Sequence, residues 1–249
     1  AHQGASEGAG HMRALLLAAG LGTRLRPLTN TTPKCLVPIK DQALLDIWLE
    51  RLTQAGVGSF LINTHYLSDQ VESYIAASPY CGQVTLVREE KLLGTAGTLI
   101  ANLDFFEGQD GLLIHADNYC LANIHDFIQA HRQRPPYCVM TMMTFRSETP
   151  QSCGIVELDD DGVVAGFHEK VVNPPGDLAN GAVYLLSAEL IHALATDFYA
   201  VSDFSTEVLE RLVGRIYTYE TKQYFLDIGT PESYEKANLN NSDLTCVHY

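Results

Sequence analysis

The sequence predicts a single-domain α/β fold: a mixed, mostly parallel sheet with helices on both faces. Three observations carry that expectation. From Arg13 to about residue 134, short apolar runs alternate with amphipathic segments, the pattern of strands buried on both faces by crossover helices. After residue 137 the apolar runs are closely spaced and separated by turn-rich stretches such as DDDG and NPPG, which points to a mixed or antiparallel extension of the sheet. The chain has 249 residues, 46% hydrophobic and 18% charged, enough apolar material for one sizeable core.

The elements follow in order. RALLLA (13–18) runs directly into glycines and reads as a buried strand. ALLDIWLERLTQAG (43–56) has helical periodicity and stops at Gly56. SFLINT (59–64) is a strand, DQVESYIAA (69–77) a helix, VTLVR (84–88) a strand and TAGTLIANL (95–103) a helix. GLLIHAD (111–117) is a strand ending on an aspartate, and IHDFIQAHRQR (124–134) a helix. YCVMTMMTF (137–145), CGIVEL (153–158), VVAGFHEK (163–170) and GAVYLL (181–186) read as strands, SAELIHALA (187–195) and FSTEVLERLV (204–213) as helices. IYTYE and YFLDI follow as strands, and PESYEKAN as a closing helix that begins with proline. Residues 1–12 have no apolar h-region, so they are not a signal peptide; they read as an expression-vector remnant before a native start at Met12, and 239–249 as a loose C-terminal tail. In sheets of this kind, ligands bind at the carboxyl ends of the strands.

The net charge of −14 argues against nucleic acid and anionic membrane as partners. A phosphate ligand therefore needs a local basic island, and the segment from Arg13 to Lys40 is one: it holds five basic residues and no acidic one. Cys35, Cys81, Cys120, Cys138, Cys153 and Cys246 form no CxxC pair, which argues against a zinc knuckle or a redox motif. Scattered cysteines indicate reduced thiols and a cytoplasmic location. No apolar run reaches the ~18 residues that span a bilayer. A homo-oligomer is left open.

The most informative segment is LLLAAGLGTRLRPLTNTTPKCLVPIK (15–40). Gly20 and Gly22 follow a strand directly, where the lack of a side chain lets backbone N–H groups approach phosphate oxygens. A GxG after a strand is also an ordinary tight turn. The dinucleotide fingerprint is incomplete, because Leu25 stands where its third glycine would be, and no GK[ST] follows for a P-loop. Read whole, GLGTRLRPLT (20–29) followed by TPK (32–34) resembles the signature of the sugar-1-phosphate nucleotidyltransferases. LGTAG (93–97), Asp117 in HADN, FHEK (167–170), NGAVY (180–184, with glycine and alanine exchanged) and DIGTP (227–231) resemble the family's further motifs in order and rough spacing. The likeness covers 13–238 and is nearest in look to mannose-1-phosphate and heptose-1-phosphate guanylyltransferases.

The resemblance implies a Rossmann-like nucleotidyltransferase fold with a nucleotide-binding half (13–120) and a sugar-binding half (121–238). It implies a Mg²⁺-dependent attack by a sugar 1-phosphate on the α-phosphate of a nucleoside triphosphate. Arg24, Lys34, Asp117 and Asp227 are the implied catalytic residues. Leu17, Ala19, Gly20, Gly22, Thr23, Arg24, Lys34, Glu89, Gly94, Gly97 and Asp117 would contact the nucleotide; Gly154, Glu169, Lys170 and Asn180 the sugar phosphate; Asp117 and Asp227 the Mg²⁺. Each aspartate is expected to end an apolar strand, so that both face one crevice; taken alone, such an aspartate is as readily a turn or cap residue. His65 and His115 have no partner at ligand spacing and read as wall or core histidines. Trp48 falls in a helix far from the motifs. Glu89 and Glu90 stand near the second loop, where thymidylyl- and uridylyltransferases often carry glutamine. A carboxylate only accepts, and guanine offers paired donors, so GTP with a mannose- or heptose-type 1-phosphate is favoured. A uridylyltransferase acting on a glucose or N-acetylmuramate 1-phosphate is the alternative. A catalytically silent sugar-nucleotide-binding subunit would be marked by loss of Lys34, Asp117 or Asp227, and all three are present.

Overall fold

The computed structural model describes residues 12–240; most of the expected leader, the end of the expected tail and Cys246 lie outside the described residues. The chain runs β1 (Arg13–Leu17), β2 (Pro38–Ile39), β3 (Gln42–Ala43), α1 (Leu44–Gln54), β4 (Ser59–Thr64), α2 (Ser68–Ala76), β5 (Val84–Arg88) and α3 (Thr95–Ala101). It continues through β6 (Gly111–His115), β7 (Asn118–Cys120), α4 (Ile124–Arg132), β8 (Met140–Arg146), β9 (Gly154–Leu158), β10 (Val164–Glu169) and β11 (Leu178–Leu186). The last elements are α5 (Ala188–Asp197), α6 (Glu210–Leu212), β12 (Ile216–Glu220), β13 (Phe225–Asp227) and α7 (Pro231–Leu239).

Nine strands form one mixed sheet. β5, β4, β1 and β6 lie parallel. β11 then runs antiparallel to β6 along one edge and to β8 along the other, and β8 pairs with β12. The β9–β10 hairpin joins the same edge as β6, through Ala179 of β11. Successive residues of a strand point to opposite faces, and the core divides accordingly. Leu16 packs with α1, α2 and α4; Leu15 packs with α3, α5 and α6. A third cluster, with Leu25, Val37, Tyr119 and Ile228, lies beneath the glycine loop.

Several expectations need correction. The helix expected at 204–213 is present over 204–212, with a π-helical stretch at Ser205–Leu209 leading into α6. α7 reaches Leu239, so the tail begins one residue later than expected. β11 starts at Leu178 rather than Gly181, because the polar Asn180 and Gly181 lie within a β-bulge that a hydrophobic pattern does not reveal. β7 is too short to carry a pattern. It pairs with β13 in a separate two-stranded sheet, so Asp227 does not end a strand of the main sheet. Asp117 lies in the turn between β6 and β7.

Trp48 is also closer to the motifs than the sequence suggested. Its indole Nε1–H donates to the Asn118 carbonyl at 2.9 Å, one residue after Asp117. From the next turn of α1, Arg51 Nη2 donates to the carbonyls of Leu121 and Ala122 at 2.7 and 2.8 Å. The buried face of α1 thus clamps the backbone that carries Asp117.

Candidate active site

The closing motif DIGTP is built as a helix start. Thr230 caps α7, its hydroxyl accepting from Ser233 N at 3.2 Å while Ser233 Oγ accepts from Thr230 N at 3.0 Å, and Pro231 takes the first helical position. Ile228 is fully buried. This anchors β13, whose Asp227 pairs in register with Asn118, and Ile228 N donates to the Asp117 carbonyl at 3.2 Å. Two aspartates separated by more than a hundred residues are thereby fixed side by side.

Their charges respond to that placement. Burial alone would raise the Asp117 carboxyl, but the Lys34 ammonium, His115 and hydrogen bonding outweigh it and hold it below the ordinary carboxylate range. Asp227 is pushed up, by burial and then by the Asp117 carboxylate, against the pull of Lys34, Arg24 and Lys170. Three cations and two carboxylates therefore share one electrostatic neighbourhood. Lys34 Nζ lies 3.0 Å from Asp117 Oδ2. Arg24 sits in a 3₁₀ turn with Thr23 and reaches Gly229, where an added Cβ would stand 3.1 Å from Nη2.

Two clefts meet at this pair. The smaller, about 240 Å³, is lined by Leu17, Ala19 and Gly20 on one side, Glu89 and Gly94 on the other, and Lys34 and Asp117 at its end. The larger, about 950 Å³, is lined by Arg24, Lys170, Phe225 and Asp227 among others. An added Cβ at Gly20 would meet nothing within 4 Å, so the backbone there is open to a ligand. Gly22, Thr23 and Gly97 do not line the smaller cleft. Gly22 adopts the left-handed conformation and accepts from Thr29 Oγ1, and the N–H groups of Ala96 and Gly97 go to the Ser202 carbonyl at 2.8 and 3.3 Å.

Glu89 is buried and held on every side. Oε2 accepts from Thr98 Oγ1 at 2.6 Å and Asn63 Nδ2 at 3.1 Å, and Oε1 accepts from Leu93 N at 3.2 Å. Asn63 Oδ1 in turn accepts from Ala18 N at 2.7 Å. Glu89 therefore ties the glycine loop to the second loop through Asn63, a residue that sequence reasoning missed. A buried asparagine near the end of an apolar strand was its only signal. His65 is satisfied by the Glu89 carbonyl, at 2.7 Å.

On the other half, Gly154 and Glu169 are paired across β9 and β10. A side chain at 154 would press within 2.8 Å of Glu169 Oε2, so the glycine makes room for the carboxylate. Burial raises the Glu169 carboxyl, with Lys170 opposing and Asp203 and Glu210 adding to the rise. The Lys170 side chain is largely exposed, and Nζ is 4.0 Å from Glu169 Oε1. Asn180 is committed locally: Oδ1 accepts from Ala182 N at 2.8 Å, and Nδ2 donates to the Tyr184 hydroxyl at 2.7 Å.

The chain belongs to the Nucleotidyl transferase family, which it matches over residues 13–243. It is 34% identical to a glucose-1-phosphate thymidylyltransferase of Streptomyces griseus over 74% of this chain and 52% of that protein. It is 26% identical to the D-glycero-α-D-manno-heptose 1-phosphate guanylyltransferase of Campylobacter jejuni over 92% of this chain and the whole of that one. The crystal structure of HddC from Yersinia pseudotuberculosis, solved with GMP-PN, superposes with a TM-score of 0.75 at 27% identity, covering 91% of this chain and 98% of that one. Against the longer curated relatives, the chain spans between 51% and 64% of their length. Among the described residues, no helix is long and apolar enough to cross a membrane.

Proposed function

We propose that the chain is a sugar-1-phosphate nucleotidyltransferase that joins a nucleoside triphosphate to a sugar 1-phosphate and releases pyrophosphate. The observation that carries this reading is the Asp117–Asp227 pair at the junction of two clefts, with Lys34, Arg24 and Lys170 around it.

A sugar-phosphate oxygen forms the new bond to the α-phosphorus, and the bond to the β-phosphate breaks. The nucleophile is already anionic, so the work left to the protein is positioning and charge stabilisation. In this reading Lys34 meets the α-phosphate and the departing pyrophosphate, and Arg24 forks two oxygens of the β- and γ-phosphates. Lys170 meets the phosphate of the sugar, and Glu169 its hydroxyls. Two adjacent carboxylates that raise each other's cost of ionisation suit a divalent cation. Mg²⁺, which takes one or two carboxylates plus phosphate oxygens and waters, fits the pair. Bound there, it would offset the charge that develops on the phosphates.

We favour GTP with a mannose- or heptose-type 1-phosphate. Relatives from Sulfolobus acidocaldarius, Campylobacter jejuni and Mycobacterium tuberculosis carry guanylyl- or guanyltransferase names, and Glu89 lines the smaller cleft as an acceptor. A uridine or thymidine nucleotide is the second reading. The Streptomyces griseus relative is named a thymidylyltransferase, and Glu89 spends three acceptor positions inside the protein. Pyrophosphate release with Mg²⁺, across five nucleoside triphosphates and a panel of sugar 1-phosphates, separates the two. Silence with every pair, together with tight binding of a nucleotide sugar, would replace both with a regulatory role.

A further inference from the structure

The turn that carries Asp117 is followed by a buried amide that the chemistry above does not use. Asn118 opens β7 and is buried. Alternate residues of a strand face opposite ways: Tyr119 packs into the cluster beneath the glycine loop, and Cys120 into the core of the main sheet. Asn118 shares the Cys120 face. There its Nδ2 donates to the Gly181 carbonyl at 3.0 Å and, at 3.4 Å, to the His115 carbonyl. An apolar side chain would fill that position without the cost of burying an amide. What the amide adds is direction, because a buried polar group whose bonds are made fixes one arrangement of the segments it joins.

The segments it joins are those that hold the two carboxylates. Asp117 lies one residue before Asn118, and Asp227 stands directly across from it in register. The bond to His115 closes the turn around Asp117, and the bond to Gly181 ties that turn to β11. Gly181 lies in the stretch where β11 slips register against β8. It also packs against β13, since a Cβ there would stand 3.2 Å from the Phe225 ring. From behind, Trp48 Nε1 donates to the Asn118 carbonyl at 2.9 Å. Asn118 therefore connects the HADN turn, the NGAVY bulge and the strand that leads into DIGTP. Mg²⁺ demands near-ideal octahedral geometry, and the groups behind a metal's ligands set their orientation.

We infer, resting on the nucleotidyltransferase reading above, that Asn118 is a positioning residue: its side chain, tied to Gly181 and His115, holds the Asp117 and Asp227 carboxylates ready for a divalent cation before substrate arrives. The probe is Mn²⁺ alone, titrated into the substrate-free protein and followed by the electron paramagnetic resonance of the free ion. Uptake at the site is the part that Asp227→Asn removes. In Asn118→Ala the dissociation constant for that part should rise about tenfold. The half-saturating Mg²⁺ concentration for pyrophosphate release should rise by a similar factor, and excess Mg²⁺ should restore most of the turnover. A merely loosened fold would not be repaired by metal. Trp48→Phe keeps the ring packing and removes only the N–H to the Asn118 carbonyl, so both readings should shift the same way by less. His131→Gln, altered far from the clefts, should take up Mn²⁺ as the wild type does.

Wild-type Mn²⁺ uptake and Mg²⁺ dependence in folded Asn118→Ala would overturn the inference; if that variant does not fold, the same result in Trp48→Phe would do so. A loss of turnover that excess Mg²⁺ leaves unrepaired would also overturn it. A wild type that turns over substrates yet takes up no Mn²⁺ on its own would show that the pair is not held ready, with the same consequence. If the wild type turns over no pair of substrates, the nucleotidyltransferase reading fails, and the role of Asn118 with it.

Discussion

Lys34 and Asp117 are joined by a 3.0 Å contact between Nζ and Oδ2, in which the lysine side chain keeps 12% of its surface exposed and the aspartate 43%. The cation is thus mostly withdrawn from water while the carboxylate stays open to the cleft. A buried amine held beside its ligand site needs little reorganisation when phosphate arrives. Lys34→Met should lower turnover by about 10²-fold or more and leave the protein folded. Steady-state pyrophosphate release alongside circular dichroism checks both parts.

Asp227 lies beside Asp117, and burial and that neighbour raise its carboxyl. A raised folded-state pKa contributes stability that is present below the unfolded value and is lost as pH rises through the folded one. At neutral pH the ionised pair therefore works against the fold. Asp227→Asn should raise the melting temperature of the ligand-free protein by a few degrees at pH 7, about 1 kcal/mol, and the gain should shrink toward pH 4. A lower melting temperature at pH 7 would count against that strain.

The bulge of β11 yields a paired test. Ala182 holds a left-handed φ of 55°, while its neighbour Gly181 does not. A Cβ at 181 would stand 3.1 Å from the Met143 carbonyl oxygen and 3.2 Å from the Phe225 ring, and Phe225 stacks on Phe145 two residues before Asp227. Ala182→Gly should stabilise by about 1 kcal/mol. Gly181→Ala should destabilise by about 1–3 kcal/mol. Urea titrations of the two variants give opposite signs if the exchange of glycine and alanine carries this cost.

Glu89→Gln separates base recognition from scaffolding. Glutamine cannot accept at both oxygen positions, so either Leu93 N or the Asn63–Thr98 side loses its acceptor. Stability should fall by about 1–3 kcal/mol, and the ratio of kcat/KM for GTP over UTP should fall with it. A stability loss with an unchanged ratio would make Glu89 a tie between loops and remove it from base selection.

Far from the clefts, His131 bonds Thr141 Oγ1 at 2.7 Å and Asp110 Oδ2 at 3.0 Å. Burial lowers the His131 imidazole, with Asp110 opposing and Arg134 adding to the fall. Burial would raise Asp110, but His131 and the Ala188 N–H overcome it and lower it. Both shifts are downward, so both contribute stability that is complete above the ordinary pKa and lost as pH falls. The loss should begin below about pH 6.5. His131→Gln should melt lower at pH 7 yet show a flatter profile between about pH 4 and 6.5.

The strands at 59–64 and 84–88 were legible to the residue, as short runs of apolar and β-branched residues. β7 was not: three residues carry no period, and its pairing with β13, a strand the sequence did show within YFLDI, is a tertiary event. The site motifs were legible as residue types, and the two loops and both aspartates do meet. What the sequence could not show is how side chains are spent. Glu89 and Asn180, for example, are largely bonded within the protein.

The most direct test of the central claim compares pyrophosphate release by the wild-type protein, Asp117→Asn and Asp227→Asn with Mg²⁺, GTP and a mannose- or heptose-type 1-phosphate. The expected result is turnover by the wild type and a loss of about 10³-fold or more in each folded variant. Wild-type rates in either variant would contradict the paired-aspartate site.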